Sequence, residues 1–189
     1  MPSNAASGGQ AAESVPLPAP EAVRRPLVSS ADAIKRMSSR LRDDRTLNAE
    51  LVHHPMLGVE FRMSGNSRRR RPIEPRALLA HAVVDLVGGR AYVTEPWNRQ
   101  DFFPRPDSAA SDRDPQPRLA RDTAIDAARE LMLGVLFRRR RLGSDLDLHV
   151  NGEPLLFGKP NWWITAGADE KPVEVLVDAM TGKHFVFRA

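Results

Sequence analysis

The sequence predicts an α+β fold made of two similar helix plus antiparallel-sheet units. Three observations predict it. The first is the final stretch, NWWITAG, a polar link ADEKP, then VEVLVDAMTGKHFVFR. Two apolar, β-branched runs there flank Thr181-Gly182, where glycine supplies the freedom a tight hairpin turn needs. The second is an upstream counterpart, HAVVDLVGGRAYV against VEVLVDAMTGKHFV, in which Val84-Asp85 aligns with Val177-Asp178, Gly89-Arg90 with Gly182-Lys183 and Tyr92 with Phe185. The third is a capped, amphipathic helical pattern ahead of each hairpin.

In chain order, residues 1–28 carry five prolines among Ala, Ser and Gly. Such a composition buries too little apolar surface to offset the entropy of ordering, so a disordered tail is expected. Residues 29–95 form the first unit. Ser29-Ser30 with Asp32 mark a helix start, and Ile34, Met37 and Leu41 recur at helical spacing. LNAELVHHPMLGVEFRM reads as a strand, with Pro55 and Gly58 marking a bulge or an edge. SGNSRRRRPIEPR reads as an exposed loop. RALLAHAVVDLV fits helix or strand by pattern; the likeness to the last hairpin favours strand from His81 on, with Ala91–Thr94 as its partner.

Residues 96–120 read as a Pro-rich linker in which Trp97, Phe102 and Phe103 tuck against the first half. Residues 121–189 form the second unit. Asp122 or Thr123 is the expected cap of a helix with Ile125, Ala128, Leu131, Met132, Val135 and Leu136 on its apolar stripe. Continuing that stripe would bury Arg139, so the helix is expected to end or lift off near Phe137. DLDLHV reads as a strand, Asn151-Gly152 as its turn and EPLLFG as its short partner. From Pro55 to Asp85 is 30 residues and from Pro160 to Asp178 is 18, the arginine loop making the difference.

Composition narrows function by exclusion. There is no cysteine, so neither a disulfide framework nor a cysteine-ligated metal site is available. The first residues lack the basic and apolar regions of a secretory signal, and no run reaches the ~18 apolar residues a bilayer span needs. A soluble chain working in the cytoplasm, without membrane contact, is expected. The formal charge is +4, and of 28 basic residues only Lys35, Lys159, Lys171 and Lys183 are lysine. That arginine excess reads equally as coding bias or as a basic surface.

No catalytic motif, phosphate-binding loop or cofactor fingerprint is present, and no enzyme activity or cofactor is expected. His53 and His54, adjacent in a strand, would point to opposite faces and so could not share a metal. His81 and His184 fall in the two hairpins as ordinary strand histidines. Asp85 and Asp178 precede tight turns, where a carboxylate ordinarily accepts the turn's own amides. Of Trp162 and Trp163, one must face the core and the other outward or under loops, and an outward tryptophan is a natural anchor for a partner. Arg68, Arg69, Arg70 and Arg71, and Arg138, Arg139, Arg140 and Arg141, are the charge features able to meet phosphates. The second run also suits a helix C-terminus.

The terminal unit resembles the PepSY family, on Trp162 or Trp163 and on VEVLVDAMTGK from Val173 to Lys183. The likeness covers about the last 70 residues and, more weakly, residues 29–95. It implies a cystatin-like arrangement, one helix against a curved antiparallel sheet, serving as an inhibitory or interaction module. The same pattern is similar to small immunity-type proteins that neutralise toxins. The expectation is therefore a non-enzymatic module that binds a protein through a sheet face or edge, at Trp162, Trp163 and the arginine runs. Non-specific nucleic-acid binding is the alternative. The oligomeric state is not encoded in any pattern found.

Overall fold

A computed structural model describes residues 15–41, 46–65, 78–139, 146–167 and 173–188. The chain is mixed α and β. Helices α1 (Ser30–Leu41) and α2 (Arg121–Arg139) lie against one nine-stranded sheet made of β1 (Ala22–Arg24), β2 (Leu47–Gly65), β3 (Leu78–Asp85), β4 (Ala91–Thr94), β5 (Phe102–Pro104), β6 (Leu146–Val150), β7 (Leu155–Ala166), β8 (Val173–Asp178) and β9 (His184–Arg188). No helix among the described residues is long and apolar enough to cross a membrane.

Two long strands form the spine. β2 and β7 pair antiparallel without a break from Leu47↔Ala166 to Gly58↔Leu155. Beyond that, β2 pairs with β6 on the same edge and with β3 on the other, and β3 pairs with β4. β7 carries β8 and then β9 on its far edge. The expected bulge or edge at Pro55 and Gly58 is therefore absent, and β2 is a central strand. DLDLHV does not fold back on EPLLFG either: as β6 it joins β2, and EPLLFG runs straight into the tryptophan segment as β7.

Proline is tolerated in this spine because of where its missing N–H falls. The carbonyls of Pro55 and Pro160 face the hairpin side, accepting from Leu86 N at 3.1 Å and Ala179 N at 3.2 Å. A residue's N–H and C=O leave a strand on the same side, so each missing donor lies past the end of β3 or β8. No rung between β2 and β7 is lost.

Alternation decides the faces. Odd residues of β2 and even residues of β7 face the helices, and the others face away. The helix side holds two cores. One joins α2 (Ala124, Ala128, Met132) to Leu57, Val59, Phe61, Ala82 and Val84, with Leu148 of β6. The other joins α1 (Ala33, Met37) to Ile164, Val175, Val177 and Val28. α1 thus covers the start of β2, through Leu47 and Ala49, together with the late strands β7 and β8, while α2 covers the rest of β2 with β3 and β4. The chain approaches both helices in the same way. Leu27 and Val28 amides donate to Ala179 O, and Arg118 and Leu119 amides donate to Leu86 O.

α1 starts as expected, with the Ser29 hydroxyl accepting from the Asp32 amide. α2 starts one residue before its expected caps, with the Ala124 amide on Ala120 O. It runs to Arg139, and Phe137 stands out into solvent. Alanine faces buried on both helices bring them close to the sheet, a role that reading only large apolar residues passes over.

The expected tail and linker are built into the molecule where they are described. Residues 1–14 lie outside the described residues, but from Val15 the chain is laid down. The Leu17 amide meets Leu119 O, and β1 pairs parallel with β7 at Val23↔Gly158 and antiparallel with β5. The arm from Glu95 to Leu119 lays Trp97 and Arg113 on the face away from the helices, joins the sheet edge between them as β5, and ends with Leu119 against the α2 core. Trp97 lies on Gly58, where an added Cβ would stand 3.0 Å from its ring, and stacks edge-on with His81 at 5.0 Å. Phe102 packs on Phe157 at 4.9 Å, so this aromatic meets the second half rather than the first.

Candidate functional site

The two hairpins are held by one set of bonds used twice. Asp85 Oδ1 accepts from the Val87 and Gly88 amides at 2.8 and 3.0 Å, and Asp178 Oδ1 from the Met180 and Thr181 amides at 2.8 and 3.1 Å. This is the turn role expected of both aspartates. Gly89 and Gly182, each at φ 73°, close the turns. Each carboxylate also has a basic partner: His54 Nε2 on Asp85 at 2.6 Å, and Lys159 Nζ on Asp178 at 2.6 Å. His54 and Lys159 are themselves direct partners across β2 and β7.

Burial works against the ionised Asp85. The His54 bond and the amides of Gly88 and Val87 outweigh it and lower its pKa to about 2. Asp178 is lowered likewise: burial opposes, and Lys159 with the turn amides prevails. His54–Asp85 and Lys159–Asp178 thus stand at matching places, each basic side chain holding the carboxylate that clamps a turn.

The other histidines are also engaged structurally. His81, nearly buried, bonds Glu60 at 2.8 Å, and Glu60 also holds the Asn151 side chain. Burial opposes ionised Glu60 less than the Asn151 bond favours it, and its pKa is lowered. The His53 ring is buried, which lowers its pKa, and its amide donates to Asp114 at 2.6 Å. Asp114 is in turn bound by Arg105 and the Ser111 amide. His184 meets Arg40 at 3.0 Å. Among the described residues no three His, Asp or Glu side chains gather as a metal site.

The two tryptophans divide as alternation requires. Trp162 packs against the α1 core, its Nε1 donating to Val28 O at 2.8 Å. Trp163 lies on the opposite face, half-buried beneath the arm. The Arg113 guanidinium sits 5.0 Å from its ring centre and reaches Glu50 at 3.2 Å and Glu174 at 3.4 Å. Beside it is a cavity of about 210 Å³ lined by Val52, His54, Asn161, Trp163 and Leu176, with Arg113 and Pro115 from the arm.

From this cavity an apolar row runs to the edge of the sheet. Trp163, Leu176 and Phe185 are successive cross-strand partners, and Phe185 is 61% exposed. The matching row of the first half, Gly58, Val83 and Tyr92, is covered at its inner end by Trp97. Both outer strands end in exposed apolar residues, Tyr92 and Val93 on β4, Phe185 and Val186 on β9.

The arginine runs are placed only in part. Arg68–Arg71 and Arg140–Arg141 lie outside the described residues, as does the side chain of Arg139. Arg138 is exposed, and its Nε bonds Gly134 O at 3.0 Å within the helix. Sequence reasoning singled out Trp163 but missed Leu176, Phe185, Arg113 and the cavity. The apolar alternation in VEVLVD and HFVFR was legible; the contribution of the arm was not. Comparisons with protein-family models, with curated proteins and with solved structures find no match.

Proposed function

We propose that this chain is a non-enzymatic interaction module that holds a protein partner on the sheet face turned away from its helices. The observation that carries this is the row of Trp163, Leu176 and Phe185, which joins a cavity beside the arm to an exposed outer end on β9, a strand that pairs with β8 alone among the described residues. Exposed apolar residues along an unpaired edge are ordinarily covered or blunted in proteins that remain single. A toxin neutralised by an immunity-type protein is one form such a partner takes. The absence of cysteine suits work in the cytoplasm.

The same proposal takes the chain as two copies of a PepSY-like, cystatin-like unit. Its support is the repeated set of bonds at the hairpins and helix starts around His54 and Lys159. On this reading α1 packs on β2 of its own unit and also on β7 and β8 of the other, unlike a module that packs its helix on its own strands alone.

The test is a photo-crosslinking residue at position 185 in the native host. A discrete protein adduct that survives high salt, and that is absent with the same probe at Arg129 on α2, is the expected result. Adducts removed by nuclease would overturn it in favour of nucleic-acid binding. One observation favours that second reading: Gly65, three residues before Arg68, pairs with Leu146, five residues after Arg141. Binding to phosphates by that end would fall steeply with salt.

A further inference from the structure

Resting on the interaction reading above, we propose that the partner presents a basic segment with one large apolar side chain, which enters the cavity beside Trp163 while its cations meet the carboxylates around it.

The apolar part follows from the cavity. About 210 Å³ between Val52, Pro115, Trp163 and Leu176 accommodates a leucine, phenylalanine or tryptophan side chain, and the row out to Phe185 extends the contact. Buried aromatic or aliphatic anchors of this kind dominate the energetics of protein interfaces.

The basic part follows from charge. The whole chain is basic, at +4, but this face is not. Glu50, Glu174, Asp85 and Asp178 surround the cavity and row, against Arg113, Lys159 and His54. Asp85 and Asp178 are held by their own clamps. Among the described side chains Glu50 and Glu174 share the guanidinium of Arg113, with Ser111 also donating to Glu50, which leaves negative charge at the mouth. The chain also shows that a guanidinium fits here, because Arg113 already lies on the Trp163 ring between both glutamates. Stacking on an indole beside carboxylates is favourable for arginine and adds to its ion pairs. An acidic partner, or a nucleic acid, would meet like charge at the same mouth.

The test uses the intact chain against a phage library of random dodecapeptides, followed by solution binding of the selected synthetic peptides. Selected sequences should place Trp, Phe or Leu next to Arg or Lys. Their affinity should fall about tenfold or more in Phe185→Ser and several-fold in the Glu50→Gln/Glu174→Gln double variant, at unchanged urea midpoints. Phe185 is chosen because its exposure keeps the substitution from disturbing the core. Leu176→Asp, checked for folding by circular dichroism, should abolish binding. Acidic or uncharged selected peptides, or basic ones indifferent to Phe185→Ser and to the double variant, overturn this partner chemistry. They leave the interaction reading standing if the crosslink at position 185 still forms. Selection of no peptide at all overturns it as well; loss of the crosslink too would remove both.

Discussion

Asp85 offers the sharpest test of how the hairpins are held. Its pKa falls from 3.8 to about 2, despite burial, because His54 and two turn amides favour the charged form. A shift of nearly two units corresponds to about 2 kcal/mol of stability, since each unit is worth ~1.4 kcal/mol. The carboxyl is about four-fifths covered, its side chain 21% exposed, so solvent screening takes only part of this. The sign is fixed: a depressed carboxylate stabilises the fold above its unfolded pKa. The contribution is complete at neutral pH and drains as pH falls from 3.8 toward 2.

Asp85→Asn keeps an oxygen for the Val87 and Gly88 amides and removes the charge. Urea unfolding near neutral pH should show a loss of about 2 kcal/mol, and the gap to the parent should close as acid protonates the parent's own carboxyl. Asp85→Ala should cost more, by roughly 1–3 kcal/mol, because it leaves the two amides without an acceptor. An Asp85→Asn variant within ~0.5 kcal/mol of the parent at neutral pH, with an unchanged acid limb, would refute the clamp. Asp178→Asn is the internal control, and the same direction is expected there because Lys159 takes the place of His54.

Other outcomes are expected from the packing. Gly58→Leu should displace Trp97 from its seat, costing roughly 1–3 kcal/mol and shifting tryptophan emission to the red. Phe61→Ala, in the α2 core, should cost about 3–5 kcal/mol in thermal or urea unfolding. Trp162→Phe should lose about 1 kcal/mol through the Val28 bond. Gly182→Ala should destabilise by roughly 1 kcal/mol or more, because φ 73° is unfavourable for any residue with a Cβ.

How much of this was legible depends on range. Local chemistry read well. The serine cap of α1, the aspartates answering turn amides and the division of Trp162 from Trp163 all follow from residues within a few positions of one another, whereas the strand through Ala82 needed the likeness to the last hairpin. What did not read was set by distant neighbours. Pro55 suggests a bulge until the end of β3 is known, since only then is its missing N–H harmless. EPLLFG suggests a short hairpin partner until β2 offers a longer one. Residues 96–120 look like a connector because proline and aspartate are what a connector has. Their task, laying Trp97 on Gly58 and Arg113 on Trp163, is visible only once strands far apart in the chain are side by side. The cavity was out of reach for the same reason: its lining is drawn from β2, β7, β8 and the arm.

The way both cores join early and late parts of the chain bears on how the molecule comes into being. A ribosome releases β2, β3 and β4 well before α2, the rod that seals their apolar side, and it releases α1 long before β7 and β8, which complete the core that α1 shares with β2. Neither core closes while the first half stands alone, so partly made chains hold sticky sheet surface for most of synthesis. Severing the chain within residues 105–115 would not yield two stable pieces, yet the fragments, co-expressed, carry matching halves of each core and should reassemble only together.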